Sequence, residues 1–298
     1  MRCYIKLSLK KNFTVYLIMF ISSGTNFNLM RIAMKVAYIG TDYHGFQVQP
    51  NVNTIESELF RALKELNIIN NPHEANYIAA GRTDSGVHAI GQVIAFNTDN
   101  PDIALPRAVN NKLPPTIWTW ASARVPDEFD PRRDALGREY RYIMCGQYDI
   151  SLLRNASRLL KGVHDFTNFS TPDKDRSRIS MVKSINVRVE REFMIINIQA
   201  NHFIWHMVRK IATALKLVGS GARDLAWLEQ MLSPGEYNEG LEPAPAYGLV
   251  FKDVEYRNMI WCEDAYAKKT ITEKLDKLFL WHGVMAEMLR ELKESLAA

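Results

Sequence analysis

Apolar residues recur along the chain with two different spacings, one typical of strands and one typical of helices, and this combination restricts the possible folds. Period-two alternation, typical of strands, occurs in segments such as 117–125 and 139–146. Helical periodicity occurs between them, for example after the capping-box spacing of Asn53 and Glu56 and along 202–219. Helical segments alternate with hairpin-like strand pairs in the first half of the sequence and again in the second. The sequence therefore predicts an α+β fold with two similar halves and a largely antiparallel central sheet flanked by helices.

Four segments follow from these patterns. We expect an N-terminal extension at 1–33, an N-terminal α+β half at 34–147, a C-terminal α+β half at 148–256 and a helical extension at 257–298. The first segment contains a short apolar run at 15–21, which weakly resembles a secretory signal. The run has only seven residues, so we favour a disordered extension, or an alternative start at Met30 or Met34, over a signal.

Charge and cysteine content restrict the partners and the compartment. The formal net charge is +4 with a pI near 8.8, which permits a nucleic-acid partner without requiring one. The three cysteines form no CxxC pair, so the sequence predicts a cytoplasmic protein in a reducing environment, and no apolar run approaches the roughly 20 residues of a membrane span. Basic residues cluster in two parts of the sequence. The first cluster is Arg132, Arg133, Arg138 and Arg141, and the second is Lys174, Arg176, Arg178 and Lys183.

One loop concentrates reactive side chains. The stretch GRTDSGVHAIGQV at 81–93 lies between two strand-like runs, and its glycines suit a backbone that approaches a ligand closely. Asp84 either caps a turn or pairs on the surface, or it acts as a nucleophile or base beside a cation. Ser85 and His88 lie nearby, but adjacency in sequence does not make an acyl-transfer pair. Phosphate-loop, dinucleotide, HExxH and GxSxG motifs are absent from the sequence.

The loop resembles the signature of the tRNA pseudouridine synthase A family, in which GRTD-x-GVHA carries the catalytic aspartate. Further family-like segments follow in the same order: GFQVQ, RRDALGREYRY, GVHDFTNFS, NHFIWHMVRKI and APAYGLVFKDVEY. The resemblance covers residues 34 to 256 and leaves both ends of the chain outside.

The resemblance implies a role for each of four residues. Asp84 matches the nucleophile, Tyr140 the base-stacking tyrosine, Arg209 the arginine that pairs with the aspartate, and Arg82 an RNA-contacting arginine. It also implies two α+β halves whose sheets join into one, with the active-site cleft between them. The family partner is tRNA, and a homodimer lets one tRNA span both subunits.

The implied reaction is isomerisation of uridine to pseudouridine, in the anticodon arm at tRNA positions 38 to 40. It needs no outside bond energy, so we expect no metal, nucleotide or redox cofactor. A carboxylate can attack C1′ or the ring at C6, or deprotonate C2′, and the sequence leaves these three open. The alternatives are a non-catalytic RNA-binding or RNA-chaperone protein on the same fold, and an aspartate-based hydrolase, which would want a metal cluster or a second carboxylate.

Overall fold

The computed structural model describes residues 29–171 and 177–297. Its strands are β1 (Met30–Tyr38), β2 (Ile78–Ala79), β3 (His88–Thr98), β4 (Ile117–Val125), β5 (Gly137–Cys145), β6 (Gly162–Asp165), β7 (Ile179–Glu190), β8 (Phe193–Ala200), β9 (Leu249–Glu255) and β10 (Cys262–Glu263). Its α-helices are α1 (Ile55–Glu65), α2 (Pro106–Asn110), α3 (Ile150–Leu160), α4 (Met207–Gly219), α5 (Leu225–Met231) and α6 (Ala265–Ala297). The predicted α+β class is confirmed.

The strands of the described residues form one sheet in the order β10-β4-β1-β3-β9-β5-β8-β7-β6, with β2 added on β3. Every pairing within the described ranges is antiparallel except that of β3 with β9, which is parallel. The sheets of the two halves therefore join at β3 and β9, as the resemblance implied. β5 lies between β9 and β8, so in space it belongs with the strands of the C-terminal half, although the predicted boundary follows it in sequence.

Two helical layers cover the sheet. α1 buries Leu59 and Leu63 in the core of the N-terminal half, and α3 and α4 cover β5, β7 and β8 in the second core. On β9, Leu249 joins the second core and Phe251 joins the first. The two cores therefore meet at β9, and the residues that line the cleft come from both halves.

The start of α1 differs from the prediction by one residue. Thr54, not Asn53, is the N-cap, because its hydroxyl accepts the Ser57 N–H at 3.2 Å while the Ser57 hydroxyl accepts the Thr54 N–H at 3.1 Å. Glu56 instead reaches back and accepts the N–H of Val48 at 3.0 Å. A capping box is therefore present, but it is formed by Thr54 and Ser57, whereas Glu56 bonds to the loop that precedes the helix.

The start of α4 differs more. The apolar period along 202–219 predicts one helix, but α4 begins at Met207. His206 has a φ of 64°, in the left-handed region that a continuous right-handed helix cannot contain. The segment 202–206 is therefore irregular, and its last two side chains, Trp205 and His206, reach the Asp84 carboxylate.

The first strand and the first turns of the last helix are anchored to the sheet. β1 begins at Met30, four residues before the predicted start of the N-terminal half, and the Nε of Arg31 donates to the carbonyl of Phe129 at 2.6 Å. The rest of the predicted extension, 1–28, lies outside the described residues. The predicted helical extension at 257–298 contains the short strand β10 and then α6, which begins at Ala265. None of the described helices is long and apolar enough to cross a membrane.

Candidate active site

The loop from Gly81 to Val87 connects β2 to β3 and carries Asp84. The N–H of Val87 donates to the carbonyl of Asp84 at 3.2 Å, which closes a turn. Gly86 sits at the third position of this turn with a φ of 79°, where a side chain would be strained. The tight turn leaves the Asp84 side chain 31% exposed at the floor of the cleft.

The segment before α1 buttresses this loop. The Tyr38 hydroxyl bonds to the hydroxyl of Thr83 at 2.8 Å, and the Phe46 N–H donates to the carbonyl of Thr83 at 3.0 Å. Gly45 has a φ of 94°, and a Cβ there would lie 3.1 Å from the Thr83 carbonyl oxygen. Close backbone approach therefore fixes the residue next to Asp84 from two sides.

Ser85 and His88 have structural partners. The Ser85 hydroxyl donates to the carbonyl of Tyr43 at 3.0 Å. The Nδ1 of His88 accepts the N–H of Gly40 at 3.2 Å, while its Nε2 lies 3.1 Å from the carbonyl of Tyr247. Burial lowers the pKa of His88, so at neutral pH the ring is neutral and donates from Nε2. These bonds brace the loop and do not form an acyl-transfer pair.

Three side chains from the opposite half converge on the Asp84 carboxylate, and two of them, Trp205 and Arg209, donate hydrogen bonds to it. The Nη1 of Arg209 lies 2.9 Å from Oδ2, the Nε2 of His206 lies 3.3 Å from Oδ2, and the indole Nε1 of Trp205 donates to Oδ1 at 3.2 Å. Arg209 is in the first turn of α4, and the left-handed His206 precedes the helix. Together these groups stabilise a negative charge on the carboxylate.

Arg209 divides its guanidinium between two acceptors. Its Nε donates to the carbonyl of Ala244 at 2.6 Å, and only Nη1 reaches Asp84. The predicted pairing is therefore present, but the guanidinium binds only Oδ2 of Asp84. The other oxygen, Oδ1, accepts the indole N–H of Trp205. The side chain is 14% exposed, so the backbone bond holds the cation in a nearly buried position.

His206 completes the contacts as a neutral group. Burial is the largest cause that lowers the pKa of His206, and the cations Arg209 and Lys210 act in the same direction against the raising effect of Asp84. The Nδ1 of His206 lies 2.8 Å from the hydroxyl of Thr171, and its Nε2 lies 3.3 Å from Oδ2 of Asp84.

Tyr140 on β5 lies beside the carboxylate in an aromatic cluster. Its ring stacks on Phe251 with centroids 4.7 Å apart and planes 14° apart, and it meets Phe203 edge to face at 5.0 Å. Phe251 therefore covers one face of the tyrosine ring.

A cleft of about 720 Å³ brings together the four residues that the resemblance singled out, Arg82, Asp84, Tyr140 and Arg209. Its walls come from both halves, and it adjoins a second cavity of about 410 Å³ that shares Arg82 and Tyr140. The volumes fall in the range of ligand pockets. Arg82 itself is exposed at the rim.

The predicted basic groups are only partly available for RNA. Arg138 donates to the carbonyls of Ala80 and Arg132, and Arg141 donates to the side chain of Asn197. Arg132, Arg133 and Arg178 are exposed, and Lys183 pairs with Glu255 at 3.0 Å. Lys174 and Arg176 lie outside the described residues. Of the exposed cations in these described groups, Arg132 lines the smaller cavity, while Arg138 and Arg141 brace β5.

Comparisons with known proteins agree on one family. Residues 34–130 and 156–257 match the family model of the tRNA pseudouridine synthases. The chain is 54% identical over 265 residues to "tRNA pseudouridine synthase A" of Methanosarcina mazei, which covers 88% of this chain and 98% of that protein. It is also 41% identical over 269 residues to the protein of that name from Archaeoglobus fulgidus, with 90% and 99% covered.

Proposed function

The chain belongs to the tRNA pseudouridine synthase family, and from this premise we propose that it isomerises uridine to pseudouridine in tRNA with Asp84 as the nucleophile. The observation that carries the proposal is the convergence of Arg209, His206 and Trp205 on the Asp84 carboxylate at the floor of the cleft. A carboxylate held by a cation and an N–H donor in a cleft is suited to covalent or base catalysis.

The isomerisation exchanges one bond to the sugar for another. The N1–C1′ bond of uridine breaks, the uracil turns within the cleft, and C5 bonds to C1′. C5 then loses its proton to solvent and N1 gains one, so atoms and electrons balance without a co-reactant. The proposal therefore includes no metal, nucleotide or redox cofactor.

Asp84 has three chemically distinct routes to this outcome. Its carboxylate can attack C1′, attack the ring at C6, or remove the proton from C2′. Each route needs the charged carboxylate, and each ends with it regenerated. The donors across the cleft support all three routes alike, since they orient the carboxylate and stabilise its charge.

Tyr140 and Arg82 are proposed to hold the RNA. The target uridine must leave the RNA stack to reach Asp84, and the aromatic ring of Tyr140, which lines the same cleft, is proposed to receive it. Arg82 is exposed at the rim of both cavities, which suits a contact with an RNA phosphate.

We also propose which uridines are modified, the oligomeric state and the cellular compartment. By family resemblance we expect uridines at tRNA positions 38 to 40, in the anticodon arm, and a homodimer as the working form. A cytosolic location fits the two described cysteines, Cys145 and Cys262, which are both free and exposed.

The experiment follows the C5 proton. Unmodified tRNA carrying tritium at C5 of uridine is mixed with the purified protein, and tritium released to water is counted with and without a chelator. We expect release that needs no added nucleotide and survives the chelator, because the new C5–C1′ bond requires C5 to lose its hydrogen.

The same experiment separates the rival function. Tight binding of tRNA without release, on every tRNA tried, would favour a non-catalytic RNA-binding or chaperone protein. Release that stops in chelator would instead point to a metal-dependent reaction, against the proposal. Variants of the tRNA with single uridines at positions 38, 39 and 40 then locate the target.

A further inference from the structure

The isomerisation leaves a proton on C5 that a base must accept. Once the N1–C1′ bond has broken and C5 has bonded to C1′, C5 carries both the sugar carbon and its original hydrogen. The electron pair of the C5–H bond must return to the ring, and the proton must leave. A general base within reach of such a proton typically speeds the step by about a hundredfold or more.

The proton leaves close to Asp84 on each of the three routes. Asp84 reaches C1′, C6 or C2′, and after the new bond has formed C5 is attached directly to C1′ and to C6. C5 is therefore one or two bonds away from the atom that Asp84 reaches. A base that accepts this proton must lie within a few ångströms of the Asp84 carboxylate.

Of the described side chains that contact this carboxylate, His206 is suited to accept a proton. The Arg209 guanidinium is always protonated, and the Trp205 indole nitrogen only donates. Both oxygens of Asp84 already accept hydrogen bonds from these two residues. The Nε2 of His206 lies 3.3 Å from Oδ2 of Asp84, and its side chain lines the same cleft with 18% of its surface exposed. An imidazole accepts and releases protons near neutral pH.

We propose that His206 is a further catalytic residue, whose Nε2 accepts the proton from C5 and passes it to water. In this step the C5–H bond breaks, its electron pair restores the double bond between C5 and C6, and the proton bonds to Nε2. N1 gains a proton and the imidazolium loses one to water, so protons and electrons balance. This role rests on the proposed function, since it concerns the C5 proton of the same reaction.

The surroundings of His206 keep the ring ready to accept a proton. Burial is the largest cause that lowers the pKa of His206, and the cations Arg209 and Lys210 lower it further against the raising effect of Asp84. Lys210 is itself buried, and its Nζ donates to the carbonyl of Ser170 at 2.8 Å. A buried cation near His206 disfavours a second positive charge on the ring, so the neutral imidazole predominates at neutral pH.

Thr171 allows the ring to present a lone pair to the cleft. Its hydroxyl lies 2.8 Å from Nδ1 of His206, and a hydroxyl can either donate a hydrogen bond or accept one. The tautomer with its proton on Nδ1 is therefore satisfied on that side and leaves Nε2 without a proton. While Asp84 is bonded to the substrate, or has taken a proton from it, the carboxyl group carries no charge that would repel this lone pair.

The first test separates a base from a group that only orients the carboxylate. His206→Asn keeps an N–H donor and tolerates the left-handed φ of 64°, but its amide is not a base at neutral pH. Single-turnover release of tritium from C5-labelled tRNA should fall about a hundredfold. Affinity for tRNA should stay the same, because it depends on phosphate contacts.

Deuterium at C5 identifies the step that slows in this variant. His206→Asn should form pseudouridine more slowly from tRNA with deuterium at C5 than from tRNA with hydrogen, since breaking the C5–H bond becomes the slow step. The matched control is Arg209→Lys, which alters a contact to the carboxylate and leaves His206 in place. The control and the wild type should both show a smaller isotope effect than His206→Asn.

A chemical rescue tests the same role in a second variant. His206→Gly removes the ring, and glycine adopts a left-handed φ without strain. Added imidazole should restore tritium release in proportion to its concentration. Pyrazole, a ring of the same size and a much weaker base, should not restore it.

Several results would overturn the inference. His206→Asn could release tritium at the wild-type rate, or release it slowly with the isotope effect of the wild type, which would leave His206 as an orienting group. Restoration by pyrazole as efficient as that by imidazole would also exclude a base, and a larger isotope effect in Tyr140→Phe would assign the base to Tyr140. A wild type that releases no tritium would instead remove the proposed function itself.

Discussion

The two walls of the cleft contribute to the site in different ways. The N-terminal wall is a braced loop that presents one carboxylate, Asp84, while Thr83, Ser85 and His88 bond to neighbouring groups. The C-terminal wall presents donors instead of a charge-bearing nucleophile. Trp205 and Arg209 reach the carboxylate from 121 and 125 positions away in the sequence. The charged site therefore exists only where the two halves meet.

This difference implies that substitutions on the two walls act differently. Side chains of the loop other than Asp84 support its shape, and they should affect stability more than the reaction. Donors of the C-terminal wall act on the carboxylate directly, and they should affect the reaction most.

Arg209→Lys should lower the rate of tritium release by roughly tenfold to a hundredfold. Lysine keeps the positive charge but has one ammonium group, which cannot serve both the Ala244 carbonyl and Asp84. Single-turnover rates at saturating protein measure the change. A lysine variant as fast as the wild type would show that a positive charge alone is sufficient at this position and that the two-acceptor geometry of the guanidinium is not needed.

Trp205→Phe should lower the same rate by about tenfold or less, since one hydrogen bond to a charged group contributes about 1.5 kcal/mol. Phenylalanine keeps an aromatic ring beside His206 but removes the indole N–H that reaches Oδ1 of Asp84. An unchanged single-turnover rate would remove Trp205 from the donors and leave Arg209 and His206 to orient the carboxylate.

Ser85→Ala should change the rate less than either donor substitution, although Ser85 is adjacent to Asp84. Its hydroxyl bonds to the Tyr43 carbonyl, so the cost should appear as about 1 kcal/mol in the free energy of unfolding. Urea denaturation and tritium release measured on the same preparation separate the two effects. A rate loss as large as that of Arg209→Lys would contradict the division between the walls.

The pH dependence of stability should be the smallest effect, with a contribution from each wall. Burial lowers the pKa of both His88 and His206. The folded protein therefore binds fewer protons than the unfolded chain, and stability is lost as pH falls below the ordinary histidine value of about 6.5. His206→Gln should flatten part of this loss in urea titrations between pH 7 and 5. An unaltered slope would show that His206 titrates alike in both states.

The N-terminal wall was the more predictable from sequence. The glycines around Asp84 indicate a tight loop, and the structure uses Gly45 and Gly86 where a side chain would clash or strain. The mixed periodicities also predict the α+β class. The parallel pairing of β3 with β9 had no local signal, because it joins segments about 160 residues apart.

The C-terminal wall was harder to predict. The helical period of apolar residues continues through 202–206, so Trp205 and His206 look like part of a helix. The left-handed φ of His206 ends that helix and turns both side chains toward Asp84. A histidine in this conformation is uncommon, and it persists because Thr171 and Asp84 hold its ring on both sides. Local propensity does not contain these tertiary contacts.

Asp84→Asn tests the central claim most directly, because it keeps the size and polarity of the side chain and removes only its charge. Tritium release from C5-labelled tRNA and tRNA binding are measured on the same protein. We expect binding to be retained, since it depends on phosphate contacts and stacking. Release should fall by at least about four orders of magnitude, as for the loss of a nucleophile. Release by Asp84→Asn at the wild-type rate would contradict the account.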